Sequence, residues 1–392
     1  MKILFLSGSP HTIYGGFEKV ESILAHYLIS KGHKVNILSL VAKKSEFDKK
    51  VLDIFNDLNV HRYFYKYRLR ISIPKIFLGN MIGINYSPAY DEIKDYLQNK
   101  FEPDIIIVTN VEWIFGLSAK KALKDLNYDK CKVIWWPHSS LFPKLPIWMY
   151  ILGSRIILST TIKKLLKNID AVLAISTGIK KQISKLNPNV KVYTVFNPLE
   201  PYNGELVLSS KIPTFLYVGR IEYRAKNLSF MFNGLSKVKR DWKLIIVGTG
   251  PDEDKLKNLA NSLGISQKIE WRGFVKKSPY ENLDEGVTSL LLTSRFEGLP
   301  AVLIEANQRG IPVISSNCET GPSDIVILRV NGYLYPEGDM DAFVKVVNDV
   351  IDGKLCFGTP EEIAKTAERF SEDLVFNNII NALKKIGSDQ EK

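Results

Sequence analysis

Short aliphatic runs recur along the chain, spaced widely enough for a helix between most of them. In the first half they are KILFLSG (2–8), KVNILSL (34–40), DIIIVTN (104–110), KVIWWPH (132–138) and DAVLAIS (170–176). Each is nearly continuous in Ile, Val and Leu rather than alternating, the pattern of a strand buried on both faces of a parallel sheet. Between them, segments such as FEKVESILAHYLISKG (17–32) carry apolar residues at helical spacing. The rhythm stops near residue 198, in NPLEPYNGELVLSSKIP, where Pro, Asn, Gly and Ser accumulate. It restarts with TFLYVGR (214–220), WKLIIVGTG (242–250), KIEWRGF (268–274), VTSLLLTS (287–294) and IPVISS (311–316). The pattern predicts two α/β domains of about equal size, residues 1–198 and 199–370. The chain ends in one predicted helix, PEEIAKTAERFSEDLVFNNIINALKKIG (360–387), whose part from about 371 to 388 is expected to pack back on the first domain. Two such domains leave a central cleft, and ligands of parallel sheets bind beyond the carboxyl ends of the strands.

Composition changes this picture little, but charge does. The chain has 392 residues and a net charge of +11. Residues 1–200 hold 29 Lys and Arg against 16 Asp and Glu, so the basic excess and all five histidines lie in the first half. Cys131, Cys318 and Cys356 form no CxxC pair, which excludes a cysteine-rich zinc site and suits a reducing compartment. The opening MKILFLSGSP has too short an apolar stretch for a signal peptide and reads as a first strand.

Candidate chemistry gathers at the predicted strand ends. SGSPHTIYGGFEKV (7–20) puts Gly15 and Gly16 just before a helix, where free amides favour a phosphate. It has no GxGxxG, which counts against a nicotinamide dehydrogenase. GRIEYRAKN (219–227) sets two cations, Arg220 and Lys226, after the first strand of the second half, suited to a diphosphate leaving group. In VGTGPDEDKL, Gly248 and Gly250 would let a ligand approach, while Asp252 and Glu253 suit the start of a helix. SRFEGLPAVLIEANQRGIPVISS holds two acids in an otherwise apolar run, Glu297 in a turn and Glu305 on the helix that Pro300 opens. A carboxylate can accept from two adjacent hydroxyls, which suits a sugar diol. The alternative partners for these acids are nearby arginines, Arg295 or Arg309.

These stretches together resemble the family 4 glycosyltransferases of the GT-B fold. The marks are the E-x7-E after a strand followed by GIPVISS, the GGFE after the first strand, and the GR(x5)K that opens the second half. WWPHSSL, LAISTGIKKQI, FNPLEP, LLLTSRFEGLP and SSNCETGPSDIV further resemble the lipopolysaccharide-core 1,6-galactosyltransferases. One departure is Ala225, standing where the family often has a basic residue. The resemblance implies two Rossmann-like domains and a retaining, metal-independent transfer of a hexose, galactose or glucose, from a UDP-sugar to a cell-envelope glycan. It implies that Arg220 and Lys226 bind the diphosphate, with Gly16 near it. Glu297 would bind the donor sugar with the Gly298, Leu299 and Pro300 segment, and Glu305 the ribose. Gly273, Phe274 and Val275 would meet the base, with Gly250 beside the donor, and His138 would approach the reacting centre. No cofactor is implied. Two alternatives share the plan: a non-hydrolysing sugar-nucleotide epimerase, and a sugar-nucleotide-binding protein without turnover.

The basic half suggests a further partner. Between Asp129 and Asp170 there is no acid, while Lys130, Lys132, Lys144, Arg155, Lys163, Lys164 and Lys167 alternate with Trp148, Tyr150 and aliphatic residues. HRYFYKYRLRISIPKIF (61–77) repeats the mixture. Basic residues among aromatics suit the headgroup layer of an anionic membrane. Pro143, Pro146 and Arg155 argue against a spanning helix. No nucleic-acid motif accompanies the charge. The expectation is a peripheral enzyme on the cytoplasmic leaflet, meeting a lipid-linked or anionic glycan acceptor.

Overall fold

The computed structural model of the protein describes residues 1–7, 16–41, 58–64, 89–109, 114–141, 154–275, 278–283 and 285–388. Its contacts divide into two units, Met1–Phe196 with Phe376–Lys392, and Asn197–Val375.

The first unit runs β1 (Lys2–Ser7), α1 (Gly16–Ser30), β2 (Lys34–Val41), β3 (Asn59–Phe64), α2 (Tyr90–Asn99), β4 (Ile105–Thr109), α3 (Ile114–Asp125), β5 (Lys132–Trp136), α4 (Ser154–Asn168), β6 (Ala171–Ala174), α5 (Thr177–Leu186) and β7 (Lys191–Thr194). Its seven strands form one sheet in the order β3-β2-β1-β4-β5-β6-β7. Every ladder is parallel, with Ile3 opposite both Val35 and Ile105. Successive side chains of a strand point to opposite faces. Trp135 and Trp136 are neighbours in β5 and both are buried, so both faces of this sheet are covered.

The second unit runs β8 (Thr214–Val218), α6 (Leu228–Leu235), β9 (Lys243–Val247), α7 (Glu253–Ser262), β10 (Ile269–Gly273), β11 (Ser289–Leu292), α8 (Ala301–Gln308), β12 (Val313–Asn317), α9 (Pro322–Ile325), β13 (Gly332–Pro336), α10 (Met340–Ile351) and α11 (Pro360–Ala367). The sheet order is β10-β9-β8-β11-β12-β13, again parallel throughout. Phe215, Tyr217, Phe232, Leu244, Ile246, Leu291, Ile314 and Phe343 form the centre of its core. Local chemistry sets the helix starts: Asp339 accepts from the Ala342 amide, and Thr359 with Glu362 closes a capping box on α11.

The two parallel Rossmann-like sheets expected from the sequence are thus present, with differences at their margins. β3, β7 and β13 carry no long aliphatic run and were not expected. β3 includes residues 61–64, so the start of the basic and aromatic stretch HRYFYKYRLR is an edge strand. The C-terminal segment is not one helix. α11 passes through a 3-10 turn at Glu368–Phe370, and the last helix, α12 (Glu372–Ser388), starts after Ser371. The break has a cause in pairing: Leu199 forms a parallel bridge with Ser371 and donates its amide to the Phe370 carbonyl. Beyond the break, Phe376 lies 4.5 Å from Tyr27 of α1, and the Tyr27 hydroxyl donates to Asn377 at 3.3 Å.

Candidate functional site

In the second unit the chain leaves β8 for β9 on one side and leaves β11 for β12 on the other. β8 and β11 are hydrogen-bonded neighbours, so their carboxyl ends mark the point where the order reverses. Loops diverge there and open a crevice. The two loops concerned are residues 219–227 and 293–300, the same two that sequence reading singled out.

They meet through charge. Lys226 Nζ lies 2.8 Å from Glu297 Oε1, with 24% and 11% of the two side chains exposed. The partner of Glu297 is therefore a lysine 71 residues away, and the arginine alternatives fall. Arg295 instead donates to Asn227 Oδ1 at 3.2 Å, and Arg309 donates to the Glu305 carbonyl at 2.9 Å. Arg220 is exposed, and no ion-pair partner for its guanidinium occurs among the described residues.

The loop that carries Arg220 and Lys226 is strapped along its length. The buried Tyr217 hydroxyl donates to the Arg220 carbonyl at 2.8 Å, and burial, with the Glu297 charge next, raises the Tyr217 pKa. The Ile221 amide bonds Thr249, and the Tyr223 amide bonds Asp252 Oδ2 at 2.9 Å. That bond holds the Asp252 carboxyl below its usual range, so Asp252 clasps this loop instead of capping α7. The Thr293 hydroxyl lies 3.0 Å from the Lys226 carbonyl and 3.2 Å from that of Asn227. Asn227 is buried with φ 53°, a left-handed position that accepts Asn or Gly most readily. Thr293, Asn227, Asp252 and Tyr217 were not read as site residues. The one sequence signal for Thr293 is a hydroxyl closing the apolar run VTSLLLTS.

The glycines after β9 have a packing role. A Cβ on Gly248 would lie 2.0 Å from the Gly219 carbonyl, and one on Gly250 would lie 2.1 Å from that of Ile221. Their missing side chains let two backbones pack together, a sufficient reason for glycine without any ligand. Gly273 ends β10 at φ 64° with open space about its Cα, followed by Phe274, 69% exposed, and half-buried Val275.

The Glu297 turn is held from the opposite side. Thr320 donates its hydroxyl to the Glu297 carbonyl. Gly321 packs so closely that a Cβ there would lie 2.8 Å from the Gly298 carbonyl and 2.6 Å from Pro300. Leu299 is buried, and Pro300 occupies the N-cap of α8 rather than its first turn. Cys318 lies close enough to feel the Glu297 charge, but burial pushes its thiol up to about 12, so it stays protonated and is no nucleophile. Glu305 is half-buried on α8, with the Tyr280 hydroxyl 3.3 Å from its Oε2.

In the first unit, His138 stands two residues beyond β5. Its ring packs edge-on against Trp136 at 4.2 Å, and both ring nitrogens are out of contact with solvent. Burial pushes its pKa down to about 3, so the imidazole is neutral near neutral pH. Gly16 is the first residue of α1; Gly15 lies outside the described residues. So do Lys144, Trp148, Tyr150, Arg155's surroundings at 142–153, and residues 65–77 of the second basic stretch.

Two cations and a carboxylate at a switch point can hold a molecule that carries both phosphate and hydroxyl groups. Comparison with known proteins agrees with the fold. The family model described as Glycosyltransferase Family 4 matches residues 14–201, and that of Glycosyl transferases group 1 matches residues 202–371. Lipopolysaccharide 1,6-galactosyltransferase of Salmonella typhimurium is 32% identical over 395 residues, covering 98% of each chain. Among solved structures, the apo form of the lipopolysaccharide outer core galactosyltransferase WaaB aligns with TM-score 0.81 and 30% identity, over 98% of this chain and 99% of that one. Anabaena HepE in complex with UDP and glucose shares the fold at TM-score 0.70 and 18% identity, over 98% of this chain and all of its own.

Proposed function

The chain belongs to the family 4 glycosyltransferases, and from that premise we propose that it transfers galactose from UDP-galactose to a hydroxyl of a lipopolysaccharide-core glycan, with retention and without a metal. The observation that carries the reading is the Lys226–Glu297 pair across the switch point, with exposed Arg220 on the same loop. A nucleotide diphosphate gains negative charge as the bond to the sugar breaks. Arg220 and Lys226 supply the compensating charge without a metal ion. Glu297, released from Lys226, accepts from sugar hydroxyls, and Glu305 from the ribose. Glu297 then binds and orients and does not attack. The acceptor hydroxyl enters on the face the diphosphate leaves, and a diphosphate oxygen takes its proton. His138, neutral because it is buried, has a part in turnover as a hydrogen-bonding group, since its pKa near 3 removes it as a general acid. The sugar and acceptor are supported by the full-length likeness to the lipopolysaccharide 1,6-galactosyltransferase.

The test is a thermal-shift screen of UDP-galactose, UDP-glucose, UDP-GlcNAc and GDP-mannose, then transfer from the stabilising donor to truncated core oligosaccharide. A ligand of the folded state raises the melting temperature. UDP-galactose should stabilise most, activity should survive EDTA, and NMR should show the donor's anomeric configuration retained. No stabilisation by any UDP-sugar would remove the reading. Conversion of UDP-galactose with no acceptor present would favour an epimerase.

We also propose that the enzyme works peripherally at the inner face of the cytoplasmic membrane. Among the described residues no helix is long and apolar enough to cross a membrane. Lys163, Lys164 and Lys167 lie on α4, and Lys180, Lys181 and Lys185 on α5. Each basic residue near an anionic surface contributes about 1 kcal/mol. Salt-sensitive co-sedimentation with anionic but not neutral liposomes is the expected result; equal, negligible binding to both at low salt would end this proposal.

A further inference from the structure

Glu305 has an arginine four residues later, Arg309 at the C-cap of the same helix, close to the spacing at which a glutamate and an arginine ordinarily pair. Here they do not pair through the carboxylate. The Arg309 guanidinium lies between two aromatic rings, 4.2 Å from the centroid of Tyr202 and 4.5 Å from that of Tyr280. Its Nη1 donates to the Glu305 carbonyl, and to the Gln308 side chain at 3.4 Å. Stacking holds a planar guanidinium in a fixed plane. The cation is thereby kept on the backbone, away from the carboxylate it would otherwise neutralise.

Tyr280 completes the arrangement. Its ring is buried, and its hydroxyl is 3.1 Å from the Val302 carbonyl and 3.3 Å from Glu305 Oε2. One hydroxyl proton lies between two acceptors, so it fixes Glu305 Oε2 without saturating it. Burial, with the Glu305 charge next, holds the Tyr280 pKa well above its ordinary value, which keeps the hydroxyl a donor.

We propose that Tyr280 and Arg309 are positioning residues that set the ribose recognition of Glu305: Tyr280 orients the carboxylate, and the stacked Arg309 leaves its charge for the ligand. The inference rests on the reading that Glu305 meets the ribose of the donor, and it adds two residues that do not themselves touch the nucleotide.

The experiment is calorimetric titration with UDP and with 2′,3′-dideoxyuridine diphosphate, on the full chain and on Tyr280→Phe and Arg309→Lys, with melting temperatures measured alongside. Wild type should prefer UDP to the dideoxy form. Tyr280→Phe should lose about three- to tenfold in UDP affinity while its affinity for the dideoxy form stays unchanged. Arg309→Lys puts a flexible ammonium within reach of the Glu305 carboxylate and should weaken UDP selectively in the same way. A structural role alone would weaken both ligands together, and that outcome overturns the proposal. Full ribose discrimination in both variants overturns it as well. No discrimination in wild type would instead remove the underlying reading of Glu305, so the two failures are distinguishable.

Discussion

The two sheets share a strand order over six strands, yet what stands beyond their carboxyl ends differs in kind. In the second unit a half-buried ion pair, an exposed arginine and, among the described residues, seven hydrogen bonds to the 220–227 loop form a charged platform. In the first unit the candidate is an imidazole kept neutral by burial against a tryptophan edge. One topology supports two electrical environments because strand order fixes only where loops emerge, while the loop residues fix their charge. Under the proposed function, the charged end holds the nucleotide and the neutral end serves turnover.

The largest expected effect falls on the charged end. Lys226→Ala and Glu297→Gln should each lower kcat/KM by about 10²- to 10³-fold, the usual cost of one charge-stabilising group. Their melting temperatures should stay close to wild type, because the pair is partly solvated. Near-normal turnover in both would erase the difference between the two ends.

His138→Ala sharpens the comparison from the neutral side. Turnover at saturating donor should fall about tenfold, the loss of one good hydrogen bond, while UDP affinity stays unchanged. Collapse of UDP affinity with intact turnover would reverse the assignment. The same residue predicts a pH effect on stability. The unfolded imidazole binds a proton below pH 6.5, whereas the folded one stays neutral down to about pH 3. Folded stability should therefore fall as pH drops through that window, at up to about 1.4 kcal/mol per pH unit from this group. A shallower slope in His138→Ala, measured by urea unfolding between pH 4 and 7, is the expected signature.

The smallest effect tests the straps. Thr293→Val preserves shape but removes the hydroxyl beneath Lys226 and Asn227. It should raise the donor KM roughly fivefold with kcat little changed. A larger loss in kcat than in KM would show that the strap acts on the chemistry and not on holding the donor.

The contrast also explains what was legible in the sequence. Nine of the ten strands read from the sequence announced themselves because a parallel strand covered on both faces is largely apolar; the tenth, β10 (IEWRG), is a half-exposed edge strand. β7 and β13 lack that run: KVYT is largely half-exposed, and GYLYP is short and aromatic. β3, NVHRYF, carries charge, and its basic residues drew attention to a surface instead of an edge. At the site, Arg220, Lys226 and Glu297 were singled out from their strand-end position, Glu305 from its place on the helix that follows, and all four from family resemblance. The contact between Lys226 and Glu297 was not, because local reasoning looks for partners nearby, and this one exists only because β8 lies beside β11. The clasp by Asp252 was hidden for the same reason. The packing of Gly250 on the Ile221 carbonyl was equally hidden, since a glycine that admits a ligand and one that admits a neighbouring backbone look identical in sequence.

Under the proposed function, the pairing of Lys226 with Glu297 also makes the platform a coincidence detector. A simple anion can draw Lys226 away only by stranding a partly buried carboxylate, and a plain sugar can engage Glu297 only by stranding an ammonium. Each half-match therefore carries its own penalty. A molecule bearing phosphate and a hydroxylated ring satisfies both groups in one event. Discrimination against the cell's abundant inorganic phosphate and free sugars then comes from the unliganded protein's own internal salt, before any shape is tested. Titration should find UDP-galactose bound more tightly than UDP, with the difference lost in Glu297→Gln; equal affinities in wild type would argue against it.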